Sequence, residues 1–447
     1  MCWWCVVPAL GAAWSGWHLR RSWFYYDEWS MIERVQSMSG GDGTMASFNG
    51  HLWMGQYWLY RVQVSIFGID RHTFICVMFV ISLVLLHLAL AALLRAAGLP
   101  RPSALLLAGV LTYLGAASQN FLFAVQVSPT LSLAAAVFAA AIVLSGRRSL
   151  PWSVAVSLLL VASVGLDSGT ALGAVVLGAL TVLLVWRSWR GVVVIAPALL
   201  GLAWWYTTAA LGPEFPATRW HRISFAVHFA LRATGSIVGA GEFAGGVLLL
   251  AAVAVVVLCW RRGWLDGPAQ TLLFAGAAGA AITIAAISQS RAGLPGFNFF
   301  DGNRYLQAAL VPITLAAAPV IAAAGRQAVS ARARRAGSIA APALLVVAFL
   351  LGLSPLRQYA AAFEAANDTV RHHVGVASIV IRDGCPSGAG PDPASAPAGV
   401  VSPQITTGLL IALMQRDALH APAGRTLADL SDDQLAMSVV TTMCPGG

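Results

Sequence analysis

The chain has 447 residues, of which 58% are hydrophobic and 10% charged, with a formal net charge of +9. A mean hydropathy of +0.75 over that length excludes a water-soluble monomer and predicts an all-α polytopic membrane protein. The basic side chains are arginines in short clusters between apolar runs, not along one face, so the charge is topological and nucleic acid is not expected as a partner.

In chain order, apolar segments near residues 2–19, 74–94, 103–118, 128–145, 150–166, 170–186, 191–210, 245–260, 269–287, 305–324 and 339–354 predict about eleven transmembrane helices. Arg95 and Arg101, Arg147 and Arg148, Arg187 and Arg190, Arg261 and Arg262, and Arg326 with Arg332, Arg334 and Arg335 fall in every second connection. Those connections are short, and their arginine excess assigns them to the cytoplasm. The longer segments 20–73, 211–244, 288–304 and 355–447 then lie outside. They hold the acidic residues apart from Asp167, in a tight outer turn, and Asp266, in the cytoplasm. The expected setting is the cell inner (plasma) membrane, multi-pass, with the chemistry on the extracytoplasmic side.

Arg20 and Arg21 directly after the first span disagree with this orientation. The later clusters outweigh them, because the bias is counted over all short loops. Without a charged n-region the first segment reads as a retained helix and not a cleaved signal peptide.

Two units follow: residues 1–354 as the transmembrane domain, with 20–73 as its first extracytoplasmic, catalytic loop, and 355–447 as a small extracytoplasmic C-terminal domain. Within the latter, 385–397 is a Pro/Gly/Ser loop, 358–382 reads as a helix followed by a Val-Ile strand, and 404–416 as another helix. Cys385 and Cys444 share a compartment that permits disulfides and are expected to pair. Cys2, Cys5, Cys76 and Cys259 lie in or beside spans and read as small buried apolar residues. No Cys-x-x-Cys or His-rich spacing supports a structural metal, and His372-His373 reads as a solvated pair.

Polar chemistry concentrates in the first outer loop. It contains Trp23-Phe24-Tyr25-Tyr26-Asp27-Glu28-Trp29-Ser30, a Gly-rich turn at 40–43, Asn49-Gly50-His51-Leu52-Trp53 and Tyr57-Trp58-Leu59-Tyr60-Arg61. An interfacial aromatic belt with incidental charges is the plain alternative. Against it stands the clustering of Asp, Glu, His and Arg in one short loop.

An acidic pair just outside the first span, a His-x-Trp segment some way after it, Tyr60-Arg61 before the second span, and Asn303-Arg304-Tyr305-Leu306 leading a late helix together resemble the GT-C class of integral membrane glycosyltransferases. The likeness is nearest to its actinobacterial, protein-mannosyltransferase-like members. It covers residues 20–320 in layout, whereas only these short patches carry specific identity. The resemblance implies a polyprenyl-phosphate sugar donor drawn from membrane lipid, an envelope glycan, lipid or protein acceptor, and transfer outside the membrane with a first-loop carboxylate at the acceptor. No cofactor is required, although a divalent Mg or Mn ion is compatible with the class.

The residues can be given roles on physical grounds. An attacking hydroxyl must lose a proton, and Asp27 is the candidate general base. Glu28, the neighbouring catalytic candidate, orients the acceptor, binds a metal or stabilises the loop. Arg304 is the first candidate to hold the leaving phosphate, because a guanidinium matches phosphate oxygens bidentately. A snorkelling interfacial arginine is the alternative, and Asp301 is an equally good structural partner for it.

Tyr305, His51, Trp53, Arg61 and Gln126 complete the substrate-binding set, with Arg219 and His221 behind them. Gln119, Asn120 and Gln126 bind sugar or cap backbone in a re-entrant segment. Asp167 most simply caps the following helix, and His87 reads as packed in the bundle. A lipid-linked-sugar flippase and a non-catalytic scaffold of an envelope pathway are the competing classes. The chain lacks the internal repeats that transporters carry, and its Asp27, Glu28, His51 and Arg304 argue against a decayed enzyme.

Overall fold

The computed structural model describes residues 3–25, 27–48, 51–113, 118–208, 216–293, 303–327, 331–399 and 402–445. Helix α1 (Trp3–Leu19) leads into the first loop, where α2 (Asp27–Ser37), α3 (Gly40–Met45), strands β1 (Ser47–Phe48) and β2 (His51–Leu52), and α4 (Met54–Val62) follow. The two strands pair antiparallel, Phe48 opposite His51. Then come α5 (Thr73–Ala96), α6 (Arg101–Thr112), the short α7 (Ser118–Leu122), a 3-10 turn at Ala124–Gln126, α8 (Val127–Leu144), α9 (Leu150–Leu166), α10 (Ser168–Trp186) and α11 (Trp189–Thr208). The second half holds α12 (Arg219–Ser236), α13 (Glu242–Arg261), α14 (Gly267–Arg291), a 3-10 turn at Asn303–Tyr305, α15 (Leu306–Gln327), α16 (Ala331–Asp383), α17 (Thr407–Gln415) and α18 (Gln434–Met443).

Among the described residues eight helices are long and apolar enough to cross a membrane: α5, α8 with its preceding turn, α10, α11, α13, α14, α15 and the part of α16 from Ala343. The other three expected segments are helical but shorter, α1 and α9 at 17 residues and α6 at 12. At about 1.5 Å per residue α6 falls well short of a hydrocarbon core of about 30 Å. The chain turns back after it through α7 and the 3-10 turn, whose residues are all buried. Irregular backbone of this kind needs a protein surround that satisfies its polar groups.

The bundle packs through small residues. A Cβ on Gly173 would lie 2.7 Å from the Gly279 carbonyl oxygen, and one on Gly276 would lie 2.7 Å from that of Pro312. Helices α10, α14 and α15 can therefore approach closely and gain dispersion contacts where the surrounding medium is as apolar as the side chains.

Residues 211–244, expected only as an outer segment, contain α12, whose Trp220, Ile223 and Val227 are exposed along one side. The Val-Ile strand expected within 358–382 is instead helical, because α16 runs unbroken to Asp383. Its buried positions Phe363, Asn367, Val370, Val374 and Ala377 recur every three or four residues, the period of a helix face and not of a strand. Helix α16 also crosses the expected boundary at 354/355 without interruption. The expected helix at 404–416 is present as α17, and Cys385 and Cys444 form a disulfide with a Cα–Cα distance of 5.7 Å.

The tail does not stand alone. Trp29, Tyr57, Tyr60, Ile69 and Phe79 of the first loop and the start of α5 share one hydrophobic core with Val370, Val380, Leu410 and Met443. Gly68 fixes the junction: at φ 63° it takes a conformation that side chains disfavour, and a Cβ there would sit 2.8 Å from the Ala418 carbonyl oxygen. That carbonyl accepts the Ile69 N–H at 2.7 Å, and Asp70 meets His420 at 2.6 Å. First loop and tail thus form a cap on one end of the bundle.

Candidate active site

Helix α2 forms because Glu28, Met31, Ile32 and Val35 recur at helical spacing and are buried on one side. Its first turn carries Asp27 and Glu28, where carboxylates complement the unpaired N–H groups and the helix dipole. Successive helical residues point about 100° apart, and the two acids have separate fates.

Glu28 is fully buried. One oxygen accepts from the Tyr25 N–H at 3.0 Å, and the other meets the Tyr60 hydroxyl and His72 Nε2, the latter at 2.7 Å. On its far side His72 Nδ1 lies 3.3 Å from the Ser22 hydroxyl and 3.4 Å from Cys76 Sγ. Burial alone would lower the His72 pKa, but the Cys76 sulfur and the Glu28 carboxylate outweigh it and hold the imidazole protonated, at about 10. Burial together with the Glu28 charge pushes the Tyr60 phenol well above its ordinary value, so it remains a donor. Phe24 packs 4.4 Å from the His72 ring and roofs the network. With both oxygens engaged inside the cap, Glu28 holds the loop together.

Asp27 faces the other way and binds Arg304, Oδ2 to Nη1 at 2.6 Å, across 277 residues of sequence. The side chains retain 11% and 26% exposure, so the pair is sheltered yet reachable. Arg304 sits on the 3-10 turn that opens α15, and its backbone N–H reaches Gln119 Oε1 at 3.4 Å. One turn on, Gln307 accepts from Asn120 at 3.0 Å and donates to the Leu111 carbonyl at 3.0 Å. These amides satisfy the broken backbone around α7 and fix the approach of Arg304. Burial opposes the Arg304 charge, but Tyr305 and Asp27 raise its pKa above the ordinary guanidinium value. The Tyr305 ring lies 5.3 Å from Arg304 and 5.5 Å from Arg291.

His51 borders the same site. The hairpin docks on the start of α10: Trp53 Nε1 donates to Asp167 Oδ1 at 2.8 Å, and the Leu52 N–H donates to the Ser168 hydroxyl at 2.9 Å. Asp167 meanwhile caps α10 by accepting from the N–H groups of Gly169 and Thr170. His51 Nδ1 lies 3.8 Å from Asp167 Oδ1, and that nitrogen is enclosed without a hydrogen-bond partner. Burial lowers its pKa, Asp167 opposes, and Arg291 and Arg304 lower it further, so the ring is neutral at pH 7. Gly169 makes room, since a Cβ there would overlap the His51 ring.

Asp27, Arg304, Tyr305 and His51 are thus brought together. Trp53 is buried beneath them against Asp167, and Gln126 is buried at the start of α8. Arg61 is not in this site. It hydrogen-bonds Tyr57 at 2.8 Å and lines a cleft beside Gln36 and Ser39 at the far end of α2, about 14 Å along the helix at about 1.5 Å per residue. His221 ties α12 to the end of α14 through the Ala292 carbonyl at 2.6 Å, and Arg219 opens that helix. Asp301 lies outside the described residues.

Sequence reasoning missed His72, the partner of Glu28, and Arg291. The signal for His72 was its place at the rim, directly before a 24-residue apolar helix. Among the described residues no three His, Cys, Asp or Glu side chains converge to hold a metal. Glu28 does not fit as a metal ligand, because its oxygens are already committed to Tyr25, Tyr60 and His72. No family model, curated protein or solved structure matches the chain.

Proposed function

We propose that the chain is a GT-C-like glycosyltransferase with about eleven spans, the eight helices long and apolar enough to cross a membrane together with the shorter α1, α6 and α9. It moves a sugar from a polyprenyl-phosphate donor to an extracytoplasmic envelope acceptor at the plasma membrane. The observation that carries this reading is the Asp27–Arg304 pair: a largely buried carboxylate, placed to take a proton, held by a guanidinium suited to a phosphate. The outward orientation is supported by the arginine-rich connections at the opposite end of the bundle, where Arg326 pairs with Asp266 at 2.7 Å.

In this mechanism the donor phosphate takes over the Arg304 guanidinium and frees Asp27. The acceptor hydroxyl gives its proton to the Asp27 carboxylate as its oxygen bonds to the anomeric carbon. The bond from that carbon to the phosphate oxygen breaks, and its electron pair leaves on the phosphate held by Arg304. Neutral His51 and the Tyr305 ring line the sugar, and Glu28 holds the base in position through α2. No step runs through a metal.

The test is sugar transfer by the purified chain in lipid nanodiscs, with a panel of polyprenyl-phosphate sugars and envelope acceptor extracts. Transfer by the native chain and its loss in Asp27→Asn support the reading. Absence of both transfer and donor binding across the panel refutes it.

A further inference from the structure

The cleft that holds Arg61 lies between α2, the end of α4 and the tail, and has a volume of about 250 Å³. That is room for about eight waters at about 30 Å³ each, comparable to one sugar unit. Arg61 enters from α4, Arg416 from the tail, and Gln36, Ser39 and Ser65 complete its polar wall. No acidic residue lines it, and among the described residues neither Arg61 nor Arg416 has a carboxylate partner. Two guanidinium groups facing one small space repel each other unless an anion sits between them.

A second observation narrows the ligand. Gln36, Ser39 and Ser65 set one amide and two hydroxyls in the wall beside the two guanidinium groups, and neutral polar groups of this kind exchange hydrogen bonds with hydroxyls. Two cations beside a neutral polar wall match a molecule that carries both a negative charge and hydroxyl groups. Inorganic phosphate or a fatty acid offers the charge without the polyol.

We propose that this cleft binds an acidic sugar unit, a uronate or a sugar phosphate, in the glycan acceptor. Its anionic group lies between Arg61 and Arg416, and its hydroxyls meet the wall of Gln36, Ser39 and Ser65. The inference rests on the transferase reading: the cleft grips the acceptor at one end of α2 while another unit of the same chain reaches Asp27 at the other. The tail supplies Arg416 and so helps select the acceptor. The docking of Ala418 and His420 on the first loop keeps the cleft assembled.

Binding is measured on the full chain in nanodiscs by isothermal titration, with glucuronate, glucose 6-phosphate, glucose and inorganic phosphate as probes and no donor present. The result therefore stands or falls apart from transfer itself. Glucuronate or glucose 6-phosphate should bind at least about tenfold tighter than glucose, and the tighter of the two identifies the natural group. Arg61→Gln and Arg416→Gln should each weaken that binding about tenfold. Gln36→Leu should erase the preference for the acidic sugars over inorganic phosphate. Arg416 is exposed, so its variant folds and serves as the control for any loss of structure in Arg61→Gln. Equal binding of glucuronate, glucose 6-phosphate and glucose, or acidic-sugar binding unchanged in the Arg61→Gln, Arg416→Gln double variant, overturns the proposal.

Discussion

The bundle and the cap bury their residues by different rules. In the bundle the core is Leu, Val and Ala from α5, α6, α8, α10, α14 and α15, drawn close by Gly173, Gly276 and Gly279. In the cap the core is aromatic, and charged groups are folded into it: Glu28 with His72, and Arg34 donating to the Gly43 carbonyl at 2.7 Å. The bundle depends mainly on shape, because its long helices satisfy most of their own backbone, with Gln307 serving the break between α6 and α7. The cap must satisfy loops, so its buried charged groups take partners outside their own helix, from the Gly43 carbonyl for Arg34 to His72 for Glu28. Architecture is thus carried by one region and specificity by the other, and substitutions in the two should fail in different ways.

The largest effect is expected at the seam. Asp27→Asn should lower the rate of sugar transfer by about 10²–10⁴-fold, the range for losing a general base, with the elution profile unchanged and the thermal transition lowered only by the loss of the ion pair with Arg304. A variant that loses transfer only because it unfolds would place Asp27 with the structural residues of the cap.

Next is the disulfide. Replacing Cys385 and Cys444 by Ser removes a cross-link spanning 59 residues, worth about 4 kcal/mol in the chain-entropy account. Limited proteolysis should then cleave the tail while the bundle helices stay protected. Equal protection of both regions would show that the cap does not depend on the cross-link.

The Glu28–His72 pair gives the cap a pH dependence that the bundle core has no reason to share. Because the folded-state pKa of His72 is raised to about 10 from an ordinary 6.5, its stabilisation is complete below pH 6.5 and is lost as pH rises toward 10. Hydrogen exchange should register faster opening of α2 across that window, and His72→Gln should flatten the profile. An unchanged slope in His72→Gln would remove His72 as the cause.

The smallest effect is expected at Gly169→Ala. The added methyl must push the His51 ring aside, at about 1–3 kcal/mol for overpacking. Its signature is a raised KM for donor together with a stability loss of that size, smaller than the loss expected for the disulfide.

Legibility in the sequence follows the same division. The apolar segments fall on helices, because a long apolar stretch in lipid has few other ways to satisfy its backbone. Helix α12 was not visible in that way, since Arg219, His221, Arg222 and His228 dilute its hydropathy. The strand expected within 358–382 was read from β-branched residues such as Val374, Val376 and Val380, where tertiary burial at helical spacing decides instead.

In the site, residue types were legible and partners were not. Asp27 and Arg304 stood out as a carboxylate and a guanidinium at the rim, but nothing local links positions so far apart. Glu28 could be a base, a ligand or a strut until His72 was seen beside it. Arg61 looked like a neighbour of His51 by sequence distance, yet α2 and α4 carry it to the cleft at the other end of the cap.

The docking of Ala418 on Gly68 also sets a timetable. The first loop is synthesised long before the tail, so Trp29, Tyr60 and Ile69 must wait, with part of their core missing, while the bundle helices follow. Over that interval the half-built cap presents an aromatic surface for a chaperone to shield or a protease to inspect. The cap core therefore closes only when the first loop and the tail have met.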